Sequence, residues 1–129
     1  MLTGGKMPTG FIFDFDGVLV NTMPAHYKCY KQALEEANIP MDKKQFYDNA
    51  GMSGIEQIKF FADKANLPVD ADIVYERKRE IWNQHNFDFK PIQCNLELFN
   101  TLKKSGKPLA IASGSTRPSI LPVLKKLKI

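Results

Sequence analysis

The sequence predicts an α/β protein whose parallel sheet is interrupted by a helical subdomain. Short apolar strand patterns occur at Gly10–Phe15 and at Pro108–Ala112, and helical spacing dominates between them. We therefore expect a core built from residues 1–22 and 91–129, with a helical insert at 23–90. The 129 residues, of which 43% are hydrophobic and 25% charged, have the size and composition of one small folded domain.

The first strand pattern, Gly10–Phe15, carries apolar side chains on both pleat faces. This is typical of a central strand that helices cover on both sides. Gly17 breaks the strand. Pro24 suits the first turn of a helix, and we expect that helix to stop near Asn38, before Pro40.

Three further helices are predicted in the insert. Asp42–Ala50 forms a short one. Ser53 and Glu56 make a capping-box pattern, in which the hydroxyl and the carboxylate satisfy free amides at the start of the next helix. The last runs from about Asp70 to His85, with apolar side chains turned inward: Val74, Ile81 and Trp82.

The core pattern returns toward the end of the chain. Asn95–Lys104 is predicted to be a helix that ends at Ser105 and Gly106. Pro108–Ala112 is predicted to be a short buried strand, and the final helix carries Pro118 in its first turn.

The composition argues against several kinds of partner. The net charge is only +4, and the basic residues are not interleaved with aromatic ones, so we expect no nucleic acid. No apolar run approaches the length of a membrane span. The start, MLTGGKMPTG, lacks the apolar stretch of a signal peptide and is expected to be a loose lead-in. Cys29 and Cys94 are too few and too far apart for a metal knuckle or a disulfide framework, so we expect two reduced thiols and a cytoplasmic location.

Polar residues stand where the two predicted strands end. Asp14 and Asp16 end the first, and Ser113 follows the second. Because ligands of open parallel sheets bind beyond the carboxyl ends of the strands, these groups should lie close together if the strands are neighbours. The amides of Gly114 and Ser115, which lead into a helix, would favour an anion such as phosphate. A hard cation such as Mg²⁺ would offset the repulsion between the carboxylates.

This arrangement suits phosphoryl transfer. Asp14 is the predicted nucleophile, which attacks phosphorus to give an acyl phosphate, and Asp16 is the predicted general acid and base. Two aspartates separated by one residue are a weak signal alone, since many are turn residues or surface calcium ligands. An apolar strand that runs directly into Asp-Phe-Asp-Gly-Val is much more specific.

The motif FDFDGVLVNT resembles the first motif of the haloacid dehalogenase (HAD) superfamily of phosphatases and phosphomutases, and IASGS resembles its second. The helices between them resemble the cap of the subfamily that holds β-phosphoglucomutase and small sugar-phosphate and phosphoglycolate phosphatases. The resemblance implies a Rossmann-like core. It also implies that Asp14 is nucleophile and Mg²⁺ ligand, that Asp16 is acid/base and gives a backbone carbonyl to Mg²⁺, and that Ser113 and the Gly114 amide hold the phosphoryl group.

Residues of the insert also resemble family positions. His26 is similar to a histidine that some members carry just after the first motif, although a lone histidine on a helix is as often structural. Gly51, Met52 and Ser53 resemble the cap loop that reads the substrate. The mutases of the family carry an arginine directly after the serine of this loop. Gly54 stands there, which counts against mutase activity.

Three more residues match the family by position. Lys78 falls near a cap lysine, but it lies within the charged stretch Arg77–Arg79, and we favour a solvated surface for it. Ser115 and Arg117 are candidates to contact a second phosphate or the polar end of the substrate.

The family's third motif is a lysine and its fourth an acidic pair that completes the Mg²⁺ site. Both are expected after the helix that ends near Ile129, where the sequence stops. We therefore expect the chain to be the N-terminal portion of a longer protein, to be a poor catalyst alone, and to need the remaining half as a partner.

The function that the sequence favours is a Mg²⁺-dependent phosphatase of a small phosphorylated metabolite, such as a sugar phosphate, which works through an aspartyl-phosphate. Two alternatives stay open. One is an isomerase like β-phosphoglucomutase, and the other is a non-catalytic protein that keeps the HAD scaffold.

Overall fold

The computed structural model describes residues 5–129, so the first four residues of the expected lead-in lie outside it. Within that range the chain forms two strands and six helices. In chain order these are β1 (Phe11–Asp14), α1 (Met23–Glu36), α2 (Lys43–Asp48), α3 (Gly54–Lys64), α4 (Ala71–Gln84), α5 (Gln93–Lys104), β2 (Leu109–Ala112) and α6 (Arg117–Leu127). The α/β fold class is as predicted.

The described chain divides into two compact units. The core unit consists of the described residues up to Thr22 together with Phe89–Ile129, and it contains both strands. The helical unit is Met23–Asp88 and contains α1 to α4. None of the described helices is long and apolar enough to cross a membrane.

The two strands of the core unit pair in parallel. The register places Phe11 opposite Leu109 and Asp14 opposite Ala112. Phe13 and Ile111 pack against a buried cluster to which α5 and α6 both contribute. The members of that cluster are Phe15, Leu19, Val20, Phe99, Ile120 and Val123.

The expectation that both faces of the strands are covered is wrong for the described residues. Side chains alternate along both strands between half-buried and exposed, and Ile12 is 76% exposed. The cause is that α5 and α6 contribute to the same cluster and so cover the same face of the sheet. A face that no described helix covers leaves its apolar residues in solvent.

Helix α5 begins two residues earlier than the predicted Asn95, at Gln93. The side-chain amide of Asn95 donates to the carbonyl of Val18 at 2.7 Å. The amide therefore ties α5 to the turn after β1 instead of capping the helix. The Schellman-like stop is as predicted, with Ser105 as C-cap and Gly106 at φ 73°.

The helical unit is held by an apolar interior and by local caps. Asp42, Ser53 and Asp70 cap α2, α3 and α4, and Ser53 and Glu56 complete the predicted capping box. On the surface, Arg77 of α4 donates to both carboxylate oxygens of Glu36, at 2.6 and 3.1 Å. These bonds lower the pKa of Glu36 to about 2.

The interior of the helical unit can be tested with two variants, one at a buried position and one at an exposed position. Ile58→Ala should lower the free energy of unfolding by about 2–5 kcal/mol, because it leaves a cavity in the unit interior. Ile73→Ala, on an exposed helix position, should cost no more than about 0.5 kcal/mol. Ile58 is fully buried and Ile73 is 68% exposed. Urea unfolding of both variants decides the point, and similar losses would contradict the assigned burial.

Candidate active site

The turn that follows β1 places Asp16 inside the core unit. Gly17 adopts a φ of 74°, a conformation that side chains disfavour, and this allows the chain to reverse. The carbonyl of Phe15 then accepts hydrogen bonds from Val18, Leu19 and Val20, at 3.1 to 3.2 Å. Asp16 is consequently fixed at the carboxyl end of the strand and half-buried, whereas Asp14 is exposed.

Parallel pairing brings the end of β2 to the same place. Ser113 directly follows β2, and its hydroxyl donates to Oδ2 of Asp16 at 3.1 Å. The sequence expectation that the aspartates and Ser113 meet is therefore confirmed for Asp16. The side chain of Asp14 instead accepts a bond from the amide of Phe15 at 2.6 Å.

Three hydroxyl groups donate to the carboxylate of Asp16. Ser115 donates to Oδ2 at 2.6 Å, alongside Ser113. Thr22, which is fully buried, donates to Oδ1. Hydrogen bonds from neutral donors offset part of the cost of partly burying a carboxylate.

The loop after β2, which the sequence predicts to bind an anion, differs from that prediction in one detail. The amide of Ser115 donates to the hydroxyl of Ser113 at 3.0 Å, because the loop folds back on itself there. Gly114 is exposed, and a side chain added to it would meet no heavy atom within 4 Å. The open space of this loop therefore lies beside Gly114. Arg117 is exposed in the first turn of α6.

The donor types at this site suit Mg²⁺, which prefers carboxylate and carbonyl oxygens. Asp14 offers an exposed carboxylate, and Asp16 lies two residues further on. Among residues 5–129, no group of three or more histidine, cysteine or acidic side chains comes together as a metal site. The described residues therefore fit part of a ligand set for Mg²⁺.

The other predicted residues lie in the helical unit. His26 is buried on α1, and its ring stacks on Trp82 with centroids 4.3 Å apart. The Nζ atom of Lys78 is 3.1 Å from Nδ1 of His26. Since a protonated lysine only donates, Nδ1 of His26 accepts this bond.

The expectation of a solvated Lys78 is wrong, because the side chain is only 6% exposed. Its Nζ lies 4.9 Å from the ring centroid of Tyr30 and 5.0 Å from that of Trp82. Aromatic faces stabilise a buried ammonium group. The signal was present in the sequence, since position 78 shares the helix face of Val74, Ile81 and Trp82.

The first residue of α3 is a tightly packed glycine, whereas the loop that precedes the helix is open. Gly51 and Ser53 are exposed, and a side chain at Gly51 would meet nothing within 4 Å. At Gly54, by contrast, an added Cβ would lie 2.2 Å from Tyr75 Cε2 and 2.5 Å from the Tyr30 hydroxyl. The two tyrosines therefore occupy the space that any side chain at position 54 needs.

Both cysteines are free thiols, Cys29 buried and Cys94 exposed. Burial raises the pKa of Cys29, and the nearby Lys78 lowers it by less. Cys29 thus remains a protonated thiol at neutral pH.

Sequence reasoning missed two features of this site. It gave no role to Thr22, because nothing in the sequence indicated that this hydroxyl turns back to Asp16. It also assigned Ser115 to the substrate, whereas the structure shows its hydroxyl on Asp16. Only the parallel pairing of strands far apart in sequence reveals that contact.

A parallel sheet that ends in two aspartates and a serine, with helices inserted after the first strand, places the chain in the class of α/β proteins with an inserted helical unit. The family model for haloacid dehalogenase-like hydrolases matches residues 11–129. The chain belongs to this family, which confirms the resemblance of its two motifs.

Individual relatives agree with this assignment. A protein of uncharacterised function from Haemophilus influenzae is 31% identical over 124 residues, which are 93% of this chain and 60% of the relative. The structure of a hydrolase from Pseudomonas syringae matches with TM-score 0.76 and 26% identity, over 95% of this chain and 57% of that one. A β-phosphoglucomutase from Clostridium difficile shares the fold alone, with TM-score 0.69 and 20% identity over 95% and 58% of the two chains. The chain thus spans somewhat more than half the length of these relatives.

The bond from Thr22 to Asp16 can be tested by stability. Thr22→Val keeps the shape of the side chain but leaves Oδ1 of Asp16 without this donor, so the free energy of unfolding should fall by about 1.5–3 kcal/mol. Thr101→Val is the matched control, since the Thr101 hydroxyl donates to a carbonyl on an exposed helix face. It should change stability by about 0.5 kcal/mol or less. Equal shifts of the urea midpoint in both variants would contradict the assignment.

The packing at Gly54 makes a second test. Gly54→Ala should destabilise the chain by about 1–3 kcal/mol, because Tyr30 and Tyr75 must move to admit the methyl group. Gly51→Ala, in open space on the loop that precedes α3, should stay within about 0.5 kcal/mol of the parent. Thermal unfolding measures both, and a neutral Gly54→Ala would show that the rings move freely.

Proposed function

We propose that the chain is part of a Mg²⁺-dependent phosphatase that acts on a small phosphorylated metabolite through an aspartyl-phosphate on Asp14. One observation carries this proposal. A hydrogen bond joins Asp16, which follows β1, to Ser113, which follows the paired strand β2. The chain that carries this pair belongs to a family of hydrolases. Because the chain spans 57–60% of its relatives, the activity is proposed for the full protein.

The roles follow from the different surroundings of the two aspartates. Asp14 is exposed and so accessible to a substrate phosphorus, which its carboxylate attacks as the ester oxygen leaves. Asp16 is half-buried and held by hydroxyls, a fixed position from which it can give a proton to the leaving oxygen and later take one from water. Two carboxyl groups in different environments are suited to different roles.

The phosphoryl group would be held by the loop after β2. The hydroxyl of Ser113 and the amide of Gly114 are the proposed donors, and the open space beside Gly114 leaves room for the ligand. Asp14 and the backbone carbonyl of Asp16 would hold Mg²⁺. When bound, the metal supplies positive charge that neutralises the phosphoryl oxygens.

The alternative of a phosphoglucomutase-like isomerase receives no support from Gly54. The family's mutases need an arginine at that position, and here the rings of Tyr30 and Tyr75 fill the space where its side chain would begin. The proposed substrate-recognition residues of the helical unit remain His26, Lys78, Gly51 and Ser53. In the core unit, Arg117 keeps the same proposed role.

The proposal is tested by phosphate release from a panel of phosphorylated metabolites, with Mg²⁺ and with EDTA. The full reading frame should release phosphate, EDTA should abolish the release, and Asp14→Asn should lower kcat by at least about a thousandfold, because it removes the nucleophile. Asp72→Asn, an exposed carboxylate on α4, should keep parental activity.

Each other outcome has a definite meaning. Interconversion of glucose 1- and 6-phosphates that depends on a bisphosphate would replace the phosphatase by the mutase. No turnover of any ester by the full protein would favour a non-catalytic scaffold. An Asp14→Asn variant as active as the parent would refute the aspartyl-phosphate.

A further inference from the structure

The hydrogen-bonding capacity of Ser113 limits what it can do for Asp16. Its hydroxyl donates to Oδ2 of Asp16 at 3.1 Å and accepts from the amide of Ser115 at 3.0 Å. A hydroxyl has one proton. If Ser113 donates to a phosphoryl oxygen, it must therefore release Asp16.

Ser115 is placed to keep hold of Asp16 when that happens. Its hydroxyl donates to the same oxygen, Oδ2, at 2.6 Å, which is 0.5 Å shorter than the bond from Ser113. On the other side of the carboxylate, Thr22 donates to Oδ1. With Ser113 turned to the ligand, Ser115 and Thr22 still hold one oxygen each.

The amide of Ser115 adds a second effect. By donating to the Ser113 hydroxyl, it occupies a lone pair of that oxygen and so directs the proton of Ser113 away from itself. One residue thus orients both partners, the proton donor of the phosphate site through its amide and Asp16 through its hydroxyl.

We propose that Ser115 is a positioning residue for Asp16 and not a ligand of the substrate. This inference rests on the proposed phosphatase function. It reverses the role that the sequence suggested, because the hydroxyl expected to contact substrate is instead used within the site. Ser113 and Ser115 lie close together in the sequence, but their proposed roles differ. Ser113 donates to the phosphoryl group, and Ser115 positions Asp16.

The kinetic test uses the full protein and its best substrate from the phosphate-release panel. Ser115→Ala should lower kcat about tenfold, a part of the contribution of general acid and base catalysis. KM should stay within about twofold, because substrate binding loses no contact. Ser115→Thr, which keeps the hydroxyl, should restore most of kcat. Ser119→Ala is the control, since the Ser119 hydroxyl pairs with Thr116.

The opposite effects on kcat and KM would overturn the proposal. A Ser115→Ala variant with raised KM and unchanged kcat would make Ser115 a substrate ligand. If that variant does not fold, Ser115→Cys replaces it, because a thiol is a weak donor of similar size. The effects of that variant on kcat and KM then distinguish a positioning residue from a substrate ligand in the same way.

A second measurement keeps the inference separate from the proposed function. In a double-mutant cycle on the full protein, Asp16→Ala and Ser115→Ala should be coupled by about tenfold in the unfolding equilibrium constant. Asp16→Ala and Ser119→Ala should be additive. If the full protein hydrolyses no ester, the phosphatase proposal has failed, and coupling still supports the hold on Asp16. Additivity of the first pair overturns it in either case.

Discussion

The parallel pairing of β1 and β2 is the constraint on which the rest of the core unit depends. The register sets Asp14 opposite Ala112, so the segments that follow the two strands leave the sheet side by side. Residues separated by nearly a hundred positions, Asp16 and Ser115, come within 2.6 Å only because of it. A slip of either strand by one residue would turn its own apolar side chain, Phe13 of β1 or Ile111 of β2, to the exposed face, and apolar packing therefore holds the polar site in register.

The first strand and its turn separate two like charges by environment. Asp14 and Asp16 are separated by a single residue, and two nearby carboxylates repel each other. The turn at Gly17 leaves Asp14 exposed and fixes Asp16 half-buried among hydroxyls. Water screens the charge of the first, and hydrogen bonds stabilise the second. The same asymmetry underlies the separate roles that we propose for them.

What the sequence could predict is what local chemistry determines. The capping box of Ser53 and Glu56 and the helix stop at Ser105 and Gly106 are visible within a few residues, and both predictions are confirmed. The bare face of the sheet depends on where α5 and α6 lie, which periodicity does not reveal. The buried Lys78 was mistaken for surface because the charge of its neighbours outweighed its helix phase. The Thr22 and Ser115 bonds arise from tertiary contacts alone.

The three hydroxyls that donate to Asp16 are neutral, and this affects the charge balance of the proposed site. Hydroxyls satisfy the hydrogen-bonding capacity of a carboxylate but add no positive charge. A phosphoryl group that approaches Asp14 and Asp16 brings further negative charge, and Coulomb repulsion among these groups is large in a partly buried site. A bound Mg²⁺ ion would supply positive charge that offsets this repulsion, and this is the physical reason why the metal belongs to the proposed mechanism.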